Sequence, residues 1–291
     1  MLELAGFFPE ENLNVVDLPY RFSSWALDDP LNVRLWFDAG QHMVSWAVLQ
    51  APFWSLDYAF QPGYADSLHV EILDWAKARI QQLPGSRYFR PAWFVNVFEE
   101  QMQRRTELEQ AGFADQANVE TNPWSKVWLC LDEETPLPQV ELPPGFSIRS
   151  LNGGEEISAY VNLHQNVFES KSMTIPWRQR TLGQPAYQPH SDLVAISPEG
   201  GLAAFCIGWY RPGTRDNKPT GQIEPMGVGK PFRRMGLGKA VLTECLVRLR
   251  KMGAEKIFVE TDNYRDAARI LYEAVGFRIY KNVLVYRKDI D

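Results

Sequence analysis

The sequence predicts an α/β (α+β) chain, and three observations carry that prediction. Short aromatic and β-branched segments alternate with longer segments whose apolar residues recur every three or four positions. A Pro-rich acidic stretch, residues 132–145, interrupts the pattern midway. A similar order of elements recurs on either side of it, which predicts a degenerate internal duplication.

In the first half, Tyr20–Trp25, Val33–Phe37, Met43–Leu49 and Phe53–Phe60 are aromatic-rich and bounded by Asp, Pro or Gly, so a meander of strands is expected. A helix follows from Ser67 to Gln82, with Leu68, Ile72, Ala76 and Ile80 at four-residue spacing. A strand at Ala92–Val97, a helix at Glu99–Gln110 and a strand at Lys126–Leu131 complete this half. Four prolines and no periodicity make 132–145 a stiff, solvated linker and the expected domain boundary. Domains are therefore expected at 1–131 and 146–291.

The second half reads strand (Phe146–Ser150), helix (Glu155–Phe168), an irregular helical stretch (Thr174–Thr181) and a β-hairpin (Leu193–Ser197, Leu202–Tyr210). The strand from Gln222 to Val228 then runs through a tight loop into a helix opened by Gly236-Leu237-Gly238. Beyond Gly253 come a strand (Lys256–Glu260), a helix (Arg265–Ala274) and a terminal strand (Val283–Arg287).

Length and composition bound the function. The 291 residues suffice for two domains, and 45% are hydrophobic. A net charge of −6 argues against a dedicated nucleic-acid binder. Cys130, Cys206 and Cys245 sit in apolar patterns without metal spacing, as reduced residues of a cytoplasmic protein do. The four histidines are scattered, and no metal site is expected. Met1 to Glu11 lacks the basic start and apolar run of a secretory signal, and the longest apolar stretch is too short to span a bilayer.

Chemistry concentrates in Gln222–Lys239. A Gly-rich turn at a helix N-terminus offers free backbone N–H groups and the positive end of the helix dipole, which suit a pyrophosphate. The spacing fits neither a P-loop, since Arg233 stands at the first Gly and Ala240 follows Lys239, nor a dinucleotide fingerprint, since Val241 replaces the third Gly. A plain strand-to-helix turn with a basic surface stays open as the alternative.

The remaining pattern, Arg233-Arg234-Met235-Gly236-Leu237-Gly238, resembles the acyl-CoA loop of the GNAT superfamily of N-acetyltransferases. The Leu-Tyr-Glu-Ala-Val-Gly-Phe run ending at Phe277 extends the resemblance. It implies two tandem GNAT-like domains, each a mixed, mostly antiparallel twisted sheet flanked by helices. It also implies acetyl-CoA as acyl donor, held by the backbone of Met226, Gly227 and Val228, by residues Arg233 to Gly238, by Lys239 and by Asn263. Asn263, with Asp266 three residues on, equally fits a helix cap. An alkyl ammonium, pKa about 10.4, needs a base to lose its proton at neutral pH. Glu224 lies on the right strand for that role, an ion-paired surface glutamate being the alternative, and Gln222 is placed to position the amine instead. Tyr272 would protonate the leaving thiolate, with a half-buried helix aromatic as its alternative.

Counted from its proline, the N-terminal copy has Tyr64 and Ala65 at the two arginines, Ser67 and His69 at the two glycines, and an added Asp66. Little sequence lies between its first and second strands, so the paired helices that shape a substrate site are expected to be absent. That domain is read as non-catalytic. The expected reaction is direct acetyl transfer to a primary amine of a small molecule or peptide, by a monomer or homodimer, without nucleic acid or membrane. A CoA-binding regulatory module without turnover, and a transferase using a longer acyl-CoA, are the alternatives.

Overall fold

The computed structural model describes the chain except residues 8–11, 13–14, 84–91, 216 and 291. The elements divide into two compact units. Met1–Val127, Asp262–Tyr264 and Lys281–Asp291 make the first; Trp128–Thr261 and Arg265–Tyr280 make the second.

The first unit begins with two short helices, α1 (Leu2–Phe7) and α2 (Leu18–Phe22). Strands β1 (Val33–Phe37), β2 (Met43–Gln50) and β3 (Ser55–Phe60) follow, then helix α3 (Ala65–Gln81), strand β4 (Ala92–Phe98), helix α4 (Met102–Gln110) and the two-residue strand β5 (Ala114–Asp115). β1, β2 and β3 pair antiparallel, and β3 meets β4 in parallel at the single pair Ser55–Phe94. One core joins Ile72, Ala76 and Ile80 of α3 to Trp93, Val95 and Val97 of β4. A second joins Leu4, Ala5 and Leu18 to Trp46, Val48 and Ala59.

The strand expected at Tyr20–Trp25 is helical. Pro19 in the first turn of α2 has a φ suited to a helix, Leu18, Pro19 and Tyr20 are buried, and the Ser23 hydroxyl bonds back to Pro19 O. The side chain of Ser24 then accepts from Ala26 N and opens a 3-10 turn. The paired helices expected to be missing from this half are therefore present as α1 and α2, ahead of the first strand rather than behind it.

The second unit takes strand β6 (Ser125–Asp132) from Trp128 on, then β7 (Ser147–Ser150), α5 (Ile157–Phe168), α6 (Ile175–Leu182), β8 (Asp192–Ile196), β9 (Leu202–Arg211), β10 (Thr220–Val228), α7 (Leu237–Lys251), β11 (Lys256–Asp262) and α8 (Asp266–Glu273). Its strand order is β6-β11-β10-β9-β8-β7, antiparallel from β10 to β7 and parallel between β10 and β11. α5 buries Ile157, Tyr160, Val161 and His164, one face of a helix. α7 buries Leu237, Val241, Leu242, Cys245, Leu246 and Leu249 and ends in Arg248, Arg250 and Lys251, cations that favour a helix C-terminus.

The last strand, β12 (Arg278–Asp289), runs antiparallel to β4 from Val283↔Phe98 to Asp289↔Ala92. The chain's final strand thus belongs, from Lys281 on, to the first unit. This partition differs from the expected one in three places. The end of β6 counts with the second unit although it precedes residues 132–145, and both Asp262–Tyr264 and the C-terminal segment count with the first. The connector after Asp132 has little regular structure, and Arg250 of α7 holds its start by donating to the carbonyls of Asp132 and Thr135.

Both units repeat one order of elements. Helices α1 and α2 match α5 and α6, and β1 to β3 match β8 to β10. A 3-10 turn at Pro62–Tyr64 precedes α3, as one at Lys230–Phe232 precedes α7.

Candidate active site

Strand β10 is where the second unit opens. Its pairing with β11 covers Thr220, Gly221 and Gln222 only, while its pairing with β9 continues to Val228. From Ile223 onward the backbone groups directed away from β9 have no β11 partner, an edge that can accept an extended ligand as an added strand. The β9 ladder is itself interrupted between Ile223 and Met226, a bulge that carries Glu224 and Pro225. Proline has no N–H for a ladder and is confined to such places.

Beyond β10, Gly236 sits at φ +85°, the left-handed region, and serves as N-cap of α7. A Cβ built there meets nothing within 4 Å, so backbone conformation rather than space demands glycine at that position. The first helical bond runs from Ala240 N to Gly236 O, which leaves the amides of Leu237, Gly238 and Lys239 as helix-end donors. Gly227 is required for the other reason, since a Cβ would stand 2.5 Å from Val167 Cγ1 and 2.8 Å from Phe205 Cζ.

The basic residues of the loop separate by role. Arg233 donates from Nε to Val228 O (3.2 Å) and from Nη2 to Val167 O (3.4 Å), bracing the loop against the end of α5. Lys230 pairs with Glu169 at 2.5 Å, and this cation holds the Glu169 carboxyl below its ordinary range. Arg234 and Lys239 make no side-chain ion pair or hydrogen bond among the described residues. Met235 is exposed and Leu237 is buried in the core under the turn.

Glu224 is half-buried on the bulge, and its backbone carbonyl accepts from Trp209 Nε1 at 2.6 Å. Tyr272 of α8 is buried against Phe277. Burial first, and then the Glu224 carboxylate and Cys206, push its phenol well above the ordinary range, so it keeps its proton at neutral pH. Burial likewise pushes the Cys206 thiol up, and all three cysteines are buried. Gln222 is buried and its Oε1 has no hydrogen-bond partner.

Asn263 has a structural partner of its own. It lies in the first unit, where its Oδ1 accepts from Ser125 N and its own N donates to Ser125 O. The N-cap of α8 is Arg265, without a side-chain cap, so the capping pattern read from Asn263 and Asp266 is not used as a cap.

A cluster built around a fully buried ion pair went unread in the sequence. Arg178 of α6 pairs with Asp192 of β8, both inaccessible to solvent, and Tyr187 Oη donates to Asp192 at 2.7 Å. The guanidinium carbon of Arg178 lies 3.9 Å from the centroid of the Tyr160 ring. These four residues lie on separate segments and none belongs to a spaced motif.

The first unit differs at the positions that count as equivalent from its proline. His69, at the position corresponding to Gly238, is buried and lies between Tyr58 and Glu107. An imidazole with Nδ1–H donating to Glu107 and Nε2 accepting the Tyr58 hydroxyl satisfies all three groups. Burial lowers the His69 pKa, which favours that neutral form. The cavity beside Tyr58, lined by Asp57, Asn96, Gln101 and Arg104 among others, measures about 30 Å³. That is room for a water or two. Among the described residues no group of three or more His, Cys, Asp or Glu is arranged to hold a metal, and no helix is long and apolar enough to cross a membrane.

Comparisons with known proteins agree with this geometry. Residues 155–277 match the model of the acetyltransferase (GNAT) family. The mycothiol acetyltransferase of Thermobispora bispora is 29% identical over 161 residues, covering 53% of this chain and 54% of the relative. The chain spans about half the length of that and similar curated relatives in such matches. The mycothiol acetyltransferase of Paenarthrobacter aurescens aligns over 268 residues at 23% identity, covering 86% of this chain and 82% of the relative. Among solved structures, a GCN5-related N-acetyltransferase from Sphaerobacter thermophilus superposes with a TM-score of 0.66 at 18% identity, covering 89% of this chain and 81% of the other. A tandem GNAT protein from the clavulanic acid biosynthesis pathway gives 0.61 at 12% identity, covering 89% and 83%. The chain therefore shares the fold of these GNAT proteins, a tandem one among them, and its residues 155–277 match the acetyltransferase (GNAT) family model.

Proposed function

We propose that the chain transfers an acetyl group from acetyl-CoA directly to a primary amine. One combination of observations supports this above others: β10 parts from β11 just where it leads into a helix N-terminus capped by a left-handed glycine. The diphosphate of the donor would lie on the amides of Leu237, Gly238 and Lys239, with Arg234 and Lys239 supplying charge. The pantetheine arm would pair with the free side of β10 at Met226–Val228. Arg233 would act mainly as a brace. Asn263 is left out of the donor site.

The amine nitrogen gives its proton to Glu224, directly or through a water, and attacks the thioester carbonyl. The C–N bond forms as the carbonyl π electrons move to oxygen, where a backbone N–H of β10 stabilises the oxyanion. As the carbonyl re-forms, the C–S bond breaks, and the thiolate takes a proton from Tyr272, whose buried phenol holds one at neutral pH. No covalent enzyme intermediate is needed, and the buried thiols support none. The first unit would carry no transfer site, its slot being filled by Tyr58, His69 and Glu107. The relatives named mycothiol acetyltransferase support acetyl transfer in general; no residue of this chain singles out that acceptor.

Acceptor profiling with acetyl-CoA and an amine library, read as free thiol released, tests the proposal. With a good acceptor, Glu224→Gln and Tyr272→Phe should each lower kcat by roughly 10²- to 10⁴-fold while CoA affinity stays within about twofold. CoA binding with no thiol release from any amine would instead identify a regulatory module, and preference for a longer thioester would redefine the donor.

A further inference from the structure

Glu224 stands on the one stretch of β10 where the ladder to β9 is broken, and a side chain holds the chain there. Ladder partners run Thr220↔Arg211 to Ile223↔Gly208 and resume at Met226↔Cys206. Between them the indole Nε1 of Trp209 donates to the Glu224 carbonyl at 2.6 Å. Trp209 is 1% exposed and sits toward the C-terminal end of β9, opposite Gln222. The indole thus donates to this carbonyl at the break in the β9 ladder, beyond the last β11 pair at Gln222. A side chain on a bulge can turn about the flanking backbone, and a base displaced by about 1 Å loses much of its effect.

We propose that Trp209 is a positioning residue for the reaction: its indole N–H fixes the backbone of Glu224, and so aims that carboxylate at the amine. This rests on Glu224 acting as the base. Tyr160 of α5, Cys206 of β9 and Tyr272 of α8 lie within electrostatic reach of the carboxylate, and all three are neutral at pH 7.

The test replaces the N–H and little else. The full-length chain carrying 3-benzothienylalanine at residue 209 keeps the fused ring and loses the donor; Trp209→Phe serves as the genetic counterpart. Kinetics with saturating acetyl-CoA should show kcat lowered by roughly ten- to a hundredfold, with the KM for acetyl-CoA within about twofold. The acid limb of the kcat–pH profile should move, since it titrates the base in the complex. A purely structural indole would shift thermal stability without moving that limb. Glu224→Gln is measured alongside. If Glu224→Gln leaves turnover unchanged, the base assignment is wrong and this inference goes with it. If Glu224→Gln is slow while the benzothienyl chain keeps both its rate and its pH limb, the base stands and the role of Trp209 is refuted.

Discussion

In the proposed donor site, Gly236 sets at the scale of one residue the backbone turn that would receive a diphosphate. Its φ of +85° would cost an ordinary L-residue about 1–2 kcal/mol. The empty space around a built Cβ means the penalty comes from backbone conformation alone. Gly236→Val, β-branched and least able to enter that region, is expected to reshape the turn and weaken CoA binding by about tenfold or more, a conversion of roughly 1.4 kcal/mol. Gly236→Asn, which tolerates left-handed backbone, should bind nearly as the wild type does. Titration calorimetry with CoA checks the contrast, and equal affinities for the two variants would count against a site at this helix start. Motif spacing made Gly236 and Gly238 legible, because a glycine demanded by backbone geometry leaves a mark in sequence. Trp209 left none, since its target is a carbonyl that every residue carries.

Elements in the second unit are held by a buried charge pair as well as by apolar faces. Arg178 and Asp192 join α6 to β8 with no solvent access, while the Arg178 guanidinium also lies on Tyr160 of α5. Removing one partner of such a pair strands the other charge, which typically costs about 3–5 kcal/mol. Asp192→Ala should therefore lower the urea midpoint sharply, whereas breaking an exposed pair such as Lys230–Glu169 should barely move it. A midpoint unchanged by Asp192→Ala would mean that the pair is not uncompensated in water-free surroundings. Most helices and strands followed from periodicity, including α3, α5, α7 and the β8–β9 hairpin. The exception is α2, where aromatic content pointed to a strand although Pro19 in the first turn favours a helix. Five residues are too few for the period of three or four to outweigh composition.

The whole chain is organised by a pairing that skips most of its length. Residues Val283–Asp289 of the final strand lie against Phe98–Ala92, so the first unit's sheet is completed by the C-terminus. A chain ending at Tyr280 should lose protection of the β4 amides in hydrogen exchange, even though no residue of the first 127 is changed. Unaltered exchange across Ala92–Phe98 would show that β4 does not depend on that strand.

By itself, the sequence determined what depends on local chemistry: the type of nearly every element, the repeat, and a Gly-rich turn fit for a diphosphate. These follow from side-chain period, turn residues and glycine spacing, which act within a few residues. Tertiary structure alone decided which distant groups meet. It set the last strand beside β4, His69 between Tyr58 and Glu107, Arg178 against Asp192, Asn263 against Ser125, and an indole N–H on the carbonyl of Glu224. Such contacts are chosen by packing and by the need to pair buried polar groups, and neither constraint is written at any fixed spacing along the chain.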